Sequence, residues 1–451
     1  MNCRFWMLWS FFAFATMLVT IGFLVLRSVT GLSDLGVASI ITSVVGERSI
    51  PTIVSATPKP TVAATDHNLE ERRPDSKVDG ADGSGRRVVL GYYVPYDPTS
   101  WASFQRHAVD IDFVVAQWVT VDSCGGIGSR DDRTLIAFAD ERGVKVLPSL
   151  LTSSDWLNHR LLTNPAISDR FLNEIVRYVV EMEYPGFDLD LEGIDPDDRD
   201  AYSEFVARLA DALHKQGKIL TLAIPAKASD VRTGWAGPYD YAALGKHADF
   251  ILLMTYDYSW ANGPPGSIAP QRWVDRVASY AVSQIPPSKV LLGLAFYGYD
   301  WNTTVGGEAK ALLYPQAETL ARQYGTEITT DQVTLSATFS YTEKAGDIVP
   351  PMPGVPPLQN DIVVRTPEVC PFLPPSKPTG PTATPEPTAT PLPTATPVPI
   401  AQHVVWLEDA RSAAARLEIA RRYGVGGVGA WRLGQEDPNV WPHLEAYRAG
   451  R

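Results

Sequence analysis

The stretch Gly186-Phe187-Asp188-Leu189-Asp190-Leu191-Glu192 alternates acidic and apolar residues. In a strand, successive side chains point to opposite faces, so Asp188, Asp190 and Glu192 share one face and Phe187, Leu189 and Leu191 the other. Same-face neighbours stand about 6.6–7 Å apart. Three carboxylates so spaced in a confined interior repel one another and lose hydration, and they hold their protons collectively. Such a stack suits proton transfer. Its outermost member, Glu192, is placed to act as a general acid, with Asp188 and Asp190 beneath it tuning its acidity. The competing reading is an antiparallel strand with a solvated acidic face. The apolar character of the flanking strands weighs against it.

The elements that must position this stretch alternate in type. Candidate strands cover 88–96, 112–120, 145–151, 186–194, 218–227, 250–258, 289–301 and 426–434. Helical patterns fill most of the gaps. After Asp197, for example, Tyr202, Phe205, Val206, Leu209 and Leu213 form one stripe, and Gly217 supplies the stop. Eight strand–helix units predict an α/β fold, a (β/α)8 barrel, in which Glu192 lies near the C-terminal strand end where barrel enzymes carry their chemistry. No glycine-rich phosphate loop follows the first strand, which disfavours a nucleotide-binding sheet.

A net charge of −12 over 451 residues argues against nucleic acid as the partner. The apolar run from Phe5 to Leu26, flanked by Arg4 and Arg27, is long enough to span a bilayer. Residues 1–27 are therefore expected to be a transmembrane anchor or a signal peptide, making the protein extracytoplasmic, either membrane-anchored or secreted. Residues 28–86 have the composition of a solvated stalk. The motif PTATP recurs at Pro381, Pro387 and Pro393 within a Pro/Thr-rich spacer, 374–400. Because strand and helix signals resume beyond it, the barrel is expected over 87–447, interrupted by an insertion at 302–403 between strands 7 and 8. Cys124 and Cys370 are either a disulfide or two free thiols.

The segment Pro185–Glu192 resembles the DGxDxDxE fourth strand of the family 18 glycoside hydrolases, the chitinase-like barrels. It keeps Asp188, Asp190 and Glu192 but carries Pro185 where the first Asp usually stands. The stretch 252–258 resembles that family's MxYD motif through Met254, Tyr256 and Asp257. The stretch at 426–434 resembles its eighth strand, with Trp431 as the characteristic tryptophan, and Gly91-Tyr92-Tyr93 resembles the first. The third strand reads Ser149-Leu150-Leu151 where many members have SxGG, so only Ser149 carries over. The resemblance is nearest to the spore-cortex-lytic branch that cleaves peptidoglycan.

The resemblance implies substrate-assisted, retaining hydrolysis of β-1,4-linked N-acetylglucosamine glycans, peptidoglycan or chitin, without metal or cofactor. Glu192 would protonate the glycosidic oxygen. Asp190 and Tyr256 would hold the sugar's acetamido group, Trp431 would floor the site, Asp257 would bind sugar or support the acids, and Tyr92 would orient Asp188. Met254, as packing more than as a contact, and Ser149 would complete the sugar-binding set, and Trp101, Trp118, Trp156, Trp260 and Trp301 either extend the cleft or, for several of them, simply pack. A catalytically weak or inactive carbohydrate-binding protein on the same barrel is the competing reading, against which the intact Glu192 counts.

Overall fold

The computed structural model describes residues 87–343, 361–367, 370 and 400–451. The apolar run at 5–26, the stalk at 28–86 and the spacer through residue 399 lie outside the described residues. Among the described residues, no helix is long and apolar enough to cross a membrane.

Eight parallel strands close into a barrel: β1 (Val88–Tyr93), β2 (Phe113–Val121), β3 (Lys145–Thr152), β4 (Gly186–Leu191), β5 (Ile219–Pro225), β6 (Phe250–Met254), β7 (Val290–Ala295) and β8 (Gly427–Trp431). Each pairs with its neighbour in sequence, and β1 closes the ring on β8 through Leu90 opposite Gly429. Alternation sorts the side chains into two cores. Leu90, Tyr92, Val115, Leu147, Leu252 and Leu291 fill the barrel interior. Phe187, Leu189 and Leu191 of β4 join the larger core under the helices. The (β/α)8 expectation is met. The expected helical stripe forms the helix Arg199–His214, with Tyr202, Phe205, Val206, Leu209 and Leu213 buried and Gly217 at φ 67° after it.

Gly186 shows how tightly β4 is drawn against β5. A β-carbon there would lie 2.3 Å from the carbonyl oxygen of Ile219, so only glycine fits at the start of the acidic strand. Pro185 just before it has a role of its own, since its carbonyl accepts the amide of Ile219 at 3.0 Å.

The sequence reading is corrected at the seventh strand. The stretch 289–301 is two strands, not one. β7 ends at Ala295, and Tyr297–Asn302 enters a second, antiparallel sheet with Lys310–Leu313, Ala401–Leu407, Ala337–Glu343 and Thr329–Thr330. The break falls at Phe296, whose amide turns to the carbonyl of Trp431 at 2.8 Å. Tyr297–Asn302 then pairs with Ala401–Leu407 so closely that a β-carbon on Gly298 would lie 2.4 Å from Leu407 Cβ.

A strand that the reading did not anticipate, Ile127–Asp132, folds back against β2 and takes Ile362–Arg365 on its other side. Its Asp131 is buried and accepts hydrogen bonds from Ser129, Tyr178 and Tyr184. Beside it, Cys124 and Cys370 form a disulfide that ties the insertion to the loop after β2.

Candidate active site

A cavity of about 860 Å³ opens at the C-terminal ends of the strands, with Asp190 and Glu192 in its wall. Asp188 lies deeper and is fully buried. Three hydroxyls donate to it: Ser149 Oγ at 2.8 Å and Tyr92 at 3.3 Å to Oδ2, and Thr221 Oγ1 at 2.6 Å to Oδ1. Burial nevertheless outweighs these donors and pushes its pKa up to about 6.

Asp190, 4 % exposed, sits between the other two acids. Burial first, then the charges of Glu192 and Asp188, hold its carboxyl well above the usual carboxylate range. Its Oδ1 is buried without a hydrogen-bond partner. Glu192 is raised too, by burial and then by the facing carboxylate of Asp257. The two groups therefore keep a proton where isolated carboxylates would have lost theirs.

The backbone carrying Glu192 is fixed from three directions. Its amide donates to the carbonyl of Thr152 at 2.7 Å, and its own carbonyl accepts Asn158 Nδ2 at 2.5 Å. The hydroxyl of Tyr239 donates to the carbonyl of Leu191 at 2.8 Å. Asn158 and Tyr239 carry no signal of this role in the sequence, because each arrives from a helix or loop attached to a neighbouring strand.

Across the cavity, Tyr256 and Asp257 follow β6. Tyr256 fits because β7 has Gly293 beside it: a β-carbon there would lie 2.8 Å from Tyr256 Cε1. Burial, then the charges of Asp190 and Glu192, push the Tyr256 hydroxyl well above its ordinary pKa, so it is a donor. Asp257 adopts φ 56°, a left-handed conformation that costs a non-glycine residue free energy and is found where structure is held for function. Its Oδ1 accepts Tyr297 at 2.5 Å and Tyr299 at 3.1 Å. Both tyrosines come from the second sheet, and both were missed as site residues. Trp431 lines the cavity at the end of β8, edge-on to Tyr92 with ring centroids 5.3 Å apart. Met254 is also in the wall.

Every residue expected at the site thus converges on the cavity or directly beneath it. The outlying tryptophans divide. Trp260 lines the cavity and is 52 % exposed, and Trp156 is exposed but outside it. Trp101, Trp118 and Trp301 are buried and pack in the interior, the other of the two fates expected for this set. Trp101 packs on Phe104 and Phe138, Trp118 donates to the hydroxyl of Tyr178, and Trp301 donates to the carbonyl of Gly263. Trp235 and Trp273 line the cavity instead.

Comparison with known proteins agrees with this geometry. Residues 88–436 match the family described as Glycosyl hydrolases family 18. The glycosylase YvbX of Bacillus subtilis is 24% identical over 368 residues, covering 79% of this chain and 91% of that one. The cortical fragment-lytic enzyme of the same species is 28% identical over 292 residues, covering 64% of this chain and 55% of the enzyme, so the chain spans about half that relative's length. Among solved structures, the spore cortex-lytic enzyme SleL of Bacillus megaterium superposes with TM-score 0.63 at 25% identity, covering 80% of this chain and 73% of SleL. A chitinase of Chromobacterium violaceum gives TM-score 0.64 at 25% identity, with 81% and 100% covered.

The raised pKa of Asp188 makes a prediction about stability. A carboxyl bound more tightly to its proton in the folded state favours folding below its unfolded pKa, and that contribution is lost as pH rises through about 6. Asp188→Asn lacks this titration. The stability of the Asn variant relative to the wild type is therefore expected to improve between pH 4 and pH 7, measured as urea midpoints. A difference that stays constant with pH would contradict the raised pKa.

Proposed function

The chain belongs to the glycosyl hydrolases of family 18, and from that premise we propose that it cleaves β-1,4-linked N-acetylglucosamine glycans with retention, using the substrate's own acetamido group as nucleophile. The observation that carries this reading is the buried Asp190–Glu192 pair opening on a cavity also lined by Tyr256 and Trp431.

In the proposed reaction the sugar ring rests on Trp431, whose apolar face suits the C–H face of a pyranose. Glu192 donates its proton to the glycosidic oxygen as that bond breaks. The acetamido carbonyl oxygen attacks the anomeric carbon and closes an oxazolinium ring. The orphan Oδ1 of Asp190 accepts the acetamido N–H and balances the developing positive charge. The Tyr256 hydroxyl donates to the carbonyl oxygen and orients it. Glu192, now ionised, takes a proton from water as the water oxygen bonds to the anomeric carbon and the bond from that carbon to the acetamido oxygen breaks, which restores the acetamide. Asp188, held from below by its three hydroxyl donors, adds its charge to those that raise the pKa of Asp190. This chemistry draws on side chains, the substrate's own acetamido group and water.

Peptidoglycan is the substrate this reading favours, on the likeness to a cortical fragment-lytic enzyme and to SleL. Chitin is the second, on the likeness to the chitinase of Chromobacterium violaceum. We further propose an extracytoplasmic location, with the apolar run at 5–26 as tether or signal. The disulfide between Cys124 and Cys370 supports it, since such bonds persist in oxidising compartments. Protease added to intact cells is expected to degrade the protein, and full protection would contradict that location.

Glu192→Gln is expected to reduce release of sugar from N-acetylglucosamine oligomers and from purified peptidoglycan by at least about a thousandfold, a loss combining proton donation to the leaving group with activation of water. Its thermal melting should stay near that of the wild type. A thiazoline mimic of the cyclised sugar should inhibit competitively. Glycan turnover unaffected by that mimic would count against acetamido participation, and wild type that binds glycan without cleaving it would favour the competing reading of an inactive carbohydrate-binding protein.

A further inference from the structure

The reaction as described leaves one polar residue of the barrel interior unused. On β2 the side chains of Val114, Ala116 and Trp118 join the core under the helices, while Val115 fills the interior of the barrel. Gln117 therefore points inward, one step above Val115. It pairs with Ser149 of β3, the residue that donates to Asp188. The register slips directly after it, so that Val119 and not Trp118 stands opposite Leu150. Bulges of this kind occur beside active sites, where they re-aim a side chain. Alternate strands share the side-chain layers of a barrel, which is how a residue of β2 meets one of β4 across the intervening β3.

The residue it meets is Asp190. Burial, then the charges of Glu192 and Asp188, raise that carboxyl, and the Gln117 amide works against them. The contact is incomplete. Gln117 Nε2 is buried with no hydrogen-bond partner among the described residues, and Asp190 Oδ1 is buried in the same condition. A donor and an acceptor kept near each other, out of water and unjoined, each carry a desolvation cost that closing the hydrogen bond removes. An amide bonds more strongly to a carboxylate than to a carboxylic acid, so closure favours Asp190 as the charged member of the stack. At the other end, the facing carboxylate of Asp257 helps keep the proton on Glu192. Both influences direct the shared proton the same way. A carboxylate oxygen has lone pairs for two donors, so the amide leaves room for the acetamido N–H.

We propose that Gln117 is a positioning residue for Asp190: by closing its amide on that carboxylate it shifts the shared proton from Asp190 to Glu192, which leaves the negative charge beneath the acetamido group and the acid ready for the glycosidic oxygen. The proton only changes carboxyls, so the net charge of the stack is conserved. This role rests on the glycosidase reading above. Gln117 is absent from the cavity lining, so it acts through Asp190 and not on the sugar. The other groups facing Asp190 among the described residues are the hydroxyls of Tyr92, Tyr202, Tyr239 and Tyr256, each raised first by burial and then by charges that include Asp190. They stay neutral where carboxyls titrate, which leaves Asp188 and Glu192 as the groups that titrate with Asp190.

Two variants test it. Gln117→Met keeps the length of the side chain and removes the donor, and Gln117→Glu keeps its shape and adds a charge. The titration of Asp190 is read by carbon NMR of enzyme labelled with 13C at the Asp carboxyls, with Asp190→Asn to assign the signal. Kinetics are read on an N-acetylglucosamine tetramer. In Gln117→Met the Asp190 titration should move up by about one pH unit, the tenfold change expected for one hydrogen bond to a charged group. In Gln117→Glu it should move further. In Gln117→Met kcat should fall about tenfold with KM little changed, because the sugar contacts remain. Should Gln117→Met not fold, the isosteric Gln117→Glu decides by the same two readings. An Asp190 titration that coincides with the wild type in both variants would overturn the assignment, and intact hydrolysis would leave the glycosidase reading standing. A shifted titration with kcat unchanged would overturn it too, since the amide would then touch Asp190 without serving the reaction. Failure of the wild type to cleave the tetramer would overturn the glycosidase reading, and this role with it.

Discussion

Three carboxyl groups two residues apart on one strand cannot all ionise inside a barrel, and the arrangement of the surrounding structure follows from that constraint. Burial raises Asp188, Asp190 and Glu192 together. The deepest is given three hydroxyl donors, the middle one keeps an oxygen without a partner, and the outermost faces the cavity. The gradient runs from a satisfied, fully buried group to a half-buried one. It leaves proton sharing at the end nearest the space where a ligand would sit.

Holding such a stack requires a frame that does not relax around it. Barrel closure supplies most of this, since β4 is pressed against β5 closely enough that only glycine fits at position 186. The second sheet supplies the rest. Its strand Tyr297–Asn302 sends Tyr297 and Tyr299 to Asp257, whose charge in turn helps keep Glu192 protonated. The other face of that strand places Asp300 against His403 and Tyr341, which anchors the strand in its own sheet. The strand that follows β7 into the second sheet is thus part of the electrostatic environment of the acid.

Period-two alternation made β4 legible from sequence, because acids and aliphatics separate cleanly there. Tyr256, Asp257 and Trp431 were legible through motif resemblance, each sitting at a strand end where its neighbours are distinctive. Other features left no such trace. Ile127–Asp132 is short and polar, and it is stabilised by Tyr178 and Tyr184 from a distant helix and the turn after it, contacts that no local pattern encodes. The break at Phe296 is set by hydrogen bonding to Trp431, far along the chain, so the sequence there reads as one strand. Tryptophan exposure was equally illegible: Trp101, Trp118 and Trp301 are interior while Trp235 faces the cavity, and residue type alone does not separate these fates.

The protonation state of the inner carboxyls can be observed directly by isotope-edited infrared spectroscopy, with 13C-labelled Asp and Glu and Glu192→Gln as the reference for assigning the signal. A protonated carboxyl band lost in that variant should persist in the wild type to a higher pH than the band of free glutamic acid. If the Glu192 band instead titrates at the ordinary glutamate pKa, independently of its neighbours, the shared-proton stack does not exist.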